Sequence, residues 1–276
     1  MQNSVMTSST TSEQAASESV LSQVSVILIT HNEAHNIQDC LASVSWAGEI
    51  IIVDSGSTDA TLTLAQAYNP RIQQTDWPGF GKQKNRALDL ASKPWVLSID
   101  ADERVSSELK QEIEQVLENP QACNGWHIPR LSTYCGRFMH HGGWYPDYVL
   151  RLFKRETAHF SDLPVHEKLE IQQGKIGRLK NPLLHYSFPD LETVLNKVNH
   201  YSTAGAESYA QQGKSGGLRK AVLHGLWTFI RTYFLRLGFL DGREGFMLAV
   251  SNAEGVYYRY LKLSFNFQTG NEKTEH

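Results

Sequence analysis

Three near-continuous apolar runs, VSVILIT (24–30), EIIIVD (49–54) and WVLSID (95–100), each end in a polar cluster and precede a segment of helical periodicity. A strand with one wet face alternates polar and apolar residues; a strand apolar throughout must be covered on both sides. The repeated strand–helix order therefore predicts an α/β fold, a mostly parallel sheet with helices on both faces. Ile37, Leu41 and Val44 recur at helical spacing, and STDATLTLAQAY offers Ser57 as an N-cap with Asp59 in the first turn. A short strand is expected near Ile72, with helices over 83–90 and 106–117. Ligands in such sheets bind at the carboxyl ends of the strands. THNE (30–33), DSGSTD (54–59) and DADE (100–103) all fall there.

Asp100 and Asp102 end an apolar strand one residue apart, where like charges repel and desolvation is unfavourable. A pair of acids in a loop is usually only solvated. Here two other polar loops share the edge, and hard carboxylate oxygens suit Mg2+ or Mn2+ bridging to substrate phosphates. The small Ala101 leaves room for a ligand to approach.

A chain of 276 residues with a net charge of −3 fits one large domain with an appendage, and nucleic acid is not expected as a partner. Cys40, Cys123 and Cys135 form no CxxC pair, which suits a reducing compartment. Residues 1–23, rich in Ser, Thr and Gln, lack the basic and apolar regions of a signal peptide and read as a disordered leader; 269–276 read as a similar tail. The run 221–240 is interrupted by Arg231 and Arg236, which argues against a spanning helix.

The pattern changes after Pro120. GWHIPR and DYVLRLFKR read as strands, and helices return over 191–212 and 217–240. HHGGWYPD (140–147) reads as a glycine hinge whose Trp144 and Tyr145 either stack on a sugar face or simply pack. His127, His140 and His141 have no zinc-ligand spacing.

VSVILITHNEAHNI, IIIVDSGSTDAT and WVLSIDADERV, in this order and spacing, resemble the family-2 glycosyltransferases of GT-A fold. RLFKR, VHEKL and GFLDGREGFMLAVSNA are similar to bacterial lipopolysaccharide-core β-glycosyltransferases. The resemblance implies a GT-A Rossmann-like domain with a nucleotide-sugar-binding half (24–120) and an acceptor-side half (121–190), followed by a helical appendage (191–268). It implies a UDP-sugar donor, with glucose expected, and an acceptor hydroxyl on a lipid-anchored glycan such as the lipopolysaccharide inner core. Sugar transfer to polyprenyl phosphate and a sugar-nucleotide-binding module without turnover are the alternatives. The Gln-x-x-Arg-Trp motif of processive members is absent.

Carried over by position, the resemblance gives Thr30, Asn32 and Glu33 to the nucleotide pocket and Asp54 to the uracil N3–H, since an ionised carboxylate only accepts. Ser57 follows as a cap. Lys82, Asn85 and Arg86 would face phosphate or sugar from the helix over the donor, though a solvated face explains the two cations as well. Asp100, with Ala101 beside it, would hold ribose or the metal through water, and Asp102 would be the direct ligand of the divalent cation. Glu167 is the expected base and His166 its neighbour, in a His-Glu pair where relatives often carry Glu-Asp; Asp147 and Asp162 compete. Residues 218–240 form an apolar helical stripe punctuated by Arg219, Lys220, Arg231 and Arg236. Peripheral attachment at the inner, cytoplasmic face of the membrane is expected.

Overall fold

The computed structural model describes residues 19–120, 123–161 and 168–267. The expected leader and tail lie mostly outside these. Residues 20–23 correct the leader's boundary: they form a 3-10 turn capped by Ser19, and Leu21 is buried in the core. Ser19 also donates to Glu114 at 2.8 Å, so packing on a later helix orders this turn.

The elements run in chain order as β1 (Val24–Thr30), α1 (Ile37–Ser43), β2 (Glu49–Asp54), α2 (Thr61–Ala65), β3 (Arg71–Gln74), α3 (Phe80–Leu90), β4 (Trp95–Ser98), β5 (Glu103–Val105) and α4 (Ser107–Glu118). Then come β6 (Cys123–Tyr134), β7 (Arg137–Phe138), β8 (Asp147–Lys154), β9 (Ala158–Phe160), β10 (Leu169–Ile171), β11 (Lys175–Arg178) and β12 (Leu183–His185). Helices α5 (Leu191–Gln211), α6 (Leu218–Ile230) and α7 (Gly242–Phe267) close the chain.

The main sheet has the order β3-β2-β1-β4-β8-β6-β12-β5. Its first four strands are parallel, as their apolar runs require: Val26, Ile27, Leu28, Ile51 and Ile52 are all buried. β8 then joins β4 antiparallel, and the later strands extend the sheet to β5 at the far end. One apolar layer, with Leu41, Leu109 and Ile113, covers one face; another, with Ala87, Leu88 and Phe160, covers the other. α4 begins where its SSEL sequence predicts, with the Ser106 hydroxyl accepting from the Leu109 N–H at 3.1 Å.

α2 differs from expectation. It starts at Thr61, after Ala60, and the cap is made by Asp59, which accepts from the Thr61 N–H at 2.9 Å. Ser57 is drawn away by Asp54 and by the Asn32 N–H, so it cannot serve the helix.

The stripe over 218–240 is also not one helix. α6 ends at Ile230, residues 231–235 form a π turn, and Leu237 takes a left-handed conformation (φ 57°) before a 3-10 turn at 238–241. α6 packs on α7 through its small residues. Ala221 and Gly225 are buried, and a Cβ on Gly225 would lie 3.4 Å from the Ala253 carbonyl. The large residues face outward instead: Leu223, Leu226, Trp227 and Leu235 are each more than half exposed. Among the described residues no helix is long and apolar enough to cross a membrane.

Candidate active site

The three polar clusters meet because β2, β1 and β4 are adjacent and parallel, so their carboxyl ends share one edge. They open onto a cavity of about 1030 Å3 whose wall includes Thr30, Glu33, Ser55, Asp100, Ala101 and Asp102. The opposite wall comes from the second half of the chain, with Arg130, Trp144, Asp147 and His185.

Beneath the wall lies a buried charge network. Arg151 on β8 donates to Asp100 at 2.5 Å and to Glu103 at 2.7 Å. Lys84 on α3 lies 3.3 Å from the other Asp100 oxygen. Arg130 reaches Glu103 at 3.6 Å and grips one oxygen of Asp147 through two nitrogens, at 3.1 and 2.7 Å. Among the described residues, three cations thus face three carboxylates. Burial alone would raise Asp100, but Arg151 and Lys84 overcome it and hold this carboxyl far below the usual range. Burial pushes Glu103 upward, against the pull of Arg151 and Arg130. Glu103 also accepts from the Asp100 N–H at 2.9 Å, and Arg104 donates to the Ala101 carbonyl at 2.7 Å. The turn carrying Asp100 to Glu103 is therefore clamped from two sides.

Asp102 points the other way, toward His185. Its Oδ2 lies 3.2 Å from His185 Nε2, and His185 Nδ1 pairs with Ser132 Oγ at 2.8 Å. The short strand LLH carries no pattern that would have marked His185 in advance.

The remaining expected residues are distributed unevenly. Asp54 is fully buried and takes hydrogen bonds from Thr30 Oγ1 (2.9 Å), the Gly56 N–H (3.0 Å), and the Ser57 N–H (2.9 Å) and hydroxyl. Burial would raise it, but these donors hold it below the ordinary carboxylate value. It has no face on the cavity; its neighbour Ser55 does. Asn32, at φ 56°, uses its side-chain oxygen to accept from the Thr58 N–H at 2.8 Å. Asp54, Asn32 and Ser57 thus tie the loops at the strand ends to one another, beside the cavity-lining Thr30, Glu33 and Ser55.

On α3, Lys82 is exposed away from the cavity wall, Arg86 pairs with Asp76 at 2.8 Å, and Asn85 ties down β9 by bonding both the carbonyl and the N–H of Phe160. Lys84 is the cation that reaches the site. It stands on the same helical face as Ala87 and Leu88, a signal legible in the sequence. Glu167, His166 and the competitor Asp162 lie outside the described residues. Of the residues on either side, Lys168 donates its N–H to Ser161 Oγ at 2.9 Å.

The loop His140–Asp147 is not a free hinge. His141 donates through its backbone and ring nitrogens to Asp241, at 2.7 and 2.9 Å, and the Gly142 N–H donates to the Arg236 carbonyl at 2.9 Å. Trp144 packs against Tyr134 and Phe188 and lines the cavity. Tyr145 instead turns toward His140.

A family model described as Glycosyl transferase family 2 matches residues 25–168, more than half of the chain. The lipopolysaccharide core biosynthesis glycosyltransferase LpsC of Rhizobium meliloti is 30% identical over 256 residues, covering 86% of this chain and 93% of its own. The chain belongs to glycosyl transferase family 2. An uncharacterized glycosyltransferase of Rickettsia typhi is 30% identical over 88% of this chain and 87% of its own. Among solved structures, S. aureus TarS (1–349) gives a TM-score of 0.44 at 16% identity, over 90% of this chain and 91% of that one. Glucosyl-3-phosphoglycerate synthase from Mycobacterium tuberculosis, solved with Mn2+, UDP and phosphoglyceric acid, gives 0.34 at 26% identity, over 42% of this chain and 46% of that one.

In this glycosyltransferase Arg151 is the cation on which the site's floor depends. Replacing it, as Arg151→Met, leaves Asp100 and Glu103 with only Lys84 and the more distant Arg130. The expected loss is about 3–5 kcal/mol near neutral pH, as for a broken buried ion pair. In the wild type, Asp100 contributes stability above its unfolded value of about 3.9, and this is lost as pH falls toward its depressed folded value. The gap between variant and wild type should therefore narrow on acidification, as the carboxyls protonate. Urea unfolding from neutral pH down to about pH 2 measures it; a gap independent of pH would assign the loss to packing instead of charge.

Proposed function

We propose that the chain is an inverting glycosyltransferase that moves glucose from UDP-glucose to a hydroxyl of a lipid-anchored glycan, the lipopolysaccharide inner core. The observation that carries this reading is the Asp102–His185 pair at the mouth of three converging strand ends, facing one cavity. The cavity lies at the upper end of the about 300–1,000 Å3 common for ligand sites, and so has room for a nucleotide sugar. The name of LpsC supports the acceptor class.

The pair fits a divalent cation. With Ser132 accepting from His185 Nδ1–H, Nε2 would be free to ligate a cation beside the Asp102 carboxylate. Among the described residues no group of three or more metal-ligating side chains is present. Two protein ligands are what Mg2+ or Mn2+ takes when substrate phosphates and water complete its shell. When bound, the cation offsets charge developing on the departing diphosphate.

The chain's own residues do the rest. Thr30, Glu33 and Ser55 border the nucleotide end, and Trp77 and Phe80, edge to face at 4.8 Å, offer an exposed aromatic rim. Asp100, held ionised by Arg151 and Lys84, accepts from donor hydroxyls. Glu167 takes the proton from the acceptor hydroxyl as its oxygen attacks the anomeric carbon opposite the diphosphate, with His166 positioning it. A single displacement inverts the centre. Asp147 is the alternative base: it stands in the cavity wall, with Arg130 on one of its oxygens.

The outward face of α6, with exposed Arg219 and Lys220 beside the large apolar residues, rests on an anionic membrane surface. Such a surface would present a lipid-anchored acceptor to the cavity.

UDP release from UDP-glucose with purified core oligosaccharide should require Mg2+ or Mn2+. Asp102→Asn and His185→Ala should each remove the effect of the cation on UDP affinity in calorimetry. Cation-independent UDP binding by the wild type would sink the metal role, and no release with any core oligosaccharide would sink the acceptor.

Glu167→Gln should keep donor affinity and lower single-turnover transfer about 10²–10⁴-fold. A near-normal rate in Glu167→Gln with collapse in Asp147→Asn would move the base to Asp147. Near-normal rates in both would favour an acceptor already ionised, such as polyprenyl phosphate.

Wild type should sediment with anionic liposomes and not with neutral ones. Leu223→Gln with Leu226→Gln, or Arg219→Glu with Lys220→Glu, should leave it in the supernatant. Equal sedimentation of all variants would show that this face is not the contact.

A further inference from the structure

A second cavity, of about 380 Å3, adjoins the first between the His140–Asp147 loop and the C-terminal helices. Gly143, Trp144, Phe188, Lys197 and Tyr201 line both cavities, so the two spaces share a boundary. The first carries Asp100, Asp102 and Asp147. The second carries Lys197 from α5, Arg231 and Arg236 from the turn after α6, and Arg259 from α7, and no carboxylate lines it.

Among the described residues none of these four cations is in an ion pair. Lys197 lies 4.1 Å from the centre of the Phe188 ring, and Arg259 lies over Tyr209. Arg259 Nε is buried without a hydrogen-bond partner. The Arg236 guanidinium sits where a side chain on Gly143 would be, with NH1 2.1 Å from the place of a Cβ. Arginines do not deprotonate at ordinary pH, so they cannot escape mutual repulsion by neutralising. Around the first cavity Arg151 and Arg130 are each matched by two acids, while the buried Arg104 rests on carbonyl oxygens. Among the described residues, the second cavity gathers four cations with no acid to match them.

We infer that this cavity binds an anionic group, phosphate or carboxylate, carried by the acceptor glycan, and so orients an acceptor hydroxyl toward the first cavity. The inference rests on the proposed transfer reaction and narrows its acceptor to an acidic saccharide. Trp144 forms the shared wall. It is fixed by Tyr134 at 5.8 Å and Phe188 at 5.4 Å, and offers the rigid apolar platform on which a sugar ring between the two cavities would rest. Fork-shaped guanidinium groups suit either oxyanion.

The test uses the full chain with its donor cavity filled by saturating UDP. Glucose 6-phosphate, glucuronate and glucose are the probes, titrated by calorimetry or ligand-observed NMR. At least one acidic sugar should bind more tightly than glucose, by about tenfold or more, and the better of the two identifies phosphate or carboxylate as the group taken. Arg259→Gln and Arg231→Gln should each weaken that binding several-fold while UDP affinity stays at the wild-type value, which also reports that the variant is folded. With core oligosaccharide, the same variants should raise the acceptor KM more than they lower kcat. Removing phosphates or reducing carboxylates on the oligosaccharide should raise the wild-type KM by a larger factor than it raises the variants' KM. Equal binding of the three sugars, or acidic-sugar binding indifferent to both substitutions, overturns the inference even if transfer is observed. Acidic-sugar binding that follows the prediction without any transfer to core oligosaccharide would uphold the anion site and overturn the proposed acceptor instead.

Discussion

Arg151 joins two carboxylates that would otherwise repel each other under the floor of the cavity. One nitrogen reaches both Asp100 and Glu103, and the Asp100 N–H closes the turn onto Glu103. This fixes the direction of the whole four-residue turn. Asp100 faces its cations, Glu103 is enclosed, and Asp102 is left pointing at His185. A buried ion pair is weak evidence for added stability, because desolvation offsets much of its attraction. Its effect here is geometric: it leaves the turn one arrangement in which the charges are matched.

Charge is sorted along the joined cavities. Acids cluster where the strands end and cations among the C-terminal helices, with Trp144 between them. The C-terminal helices are therefore more than a cover for the sheet. Asp241, at the end of the 3-10 turn, holds the backbone and ring of His141, and the loop that carries Trp144 is set by a residue about a hundred positions later. The same stretch turns its large apolar residues outward, because α6 meets α7 through Ala221 and Gly225. Small residues let helix backbones approach closely, and large ones are left for whatever lies outside.

The strands and their shared edge were legible because a run apolar on both faces admits few arrangements. Asp100 and Asp102 were legible because acids at the end of such a run conflict with burial. What the sequence withheld was direction. Asp54 and Ser55 are neighbours, and a one-residue change at a strand end reverses the face a side chain takes; the acid turns inward and the serine lines the wall. Lys82 and Lys84 are separated by about 200° around the helix, so only one can reach the site. The helical face shared with Ala87 and Leu88 would have chosen it. Arg151 is a charge inside an apolar strand, but its partners lie 51 and 48 residues earlier, and nothing local names them. His185 needed the tertiary structure, because its meaning comes only from Asp102, 83 residues away.

The insertion of β8 beside β4, and of β12 beside β5, sets the order in which this protein can complete itself during synthesis. The carboxylates at 100–103 leave the ribosome well before Arg151, and before the histidine that faces Asp102. Until β8 pairs, β4 is an open edge and its acids have no guanidinium; until β12 pairs, β5 has no neighbour in the sheet. Such distant pairings form slowly, and unpaired edges are exposed to aggregation while they wait. A nascent chain stalled near residue 120 would hold the parallel strands with their charges unmatched. The acids are then best left in water, and the floor of the cavity forms only when the second half of the chain arrives to enclose them.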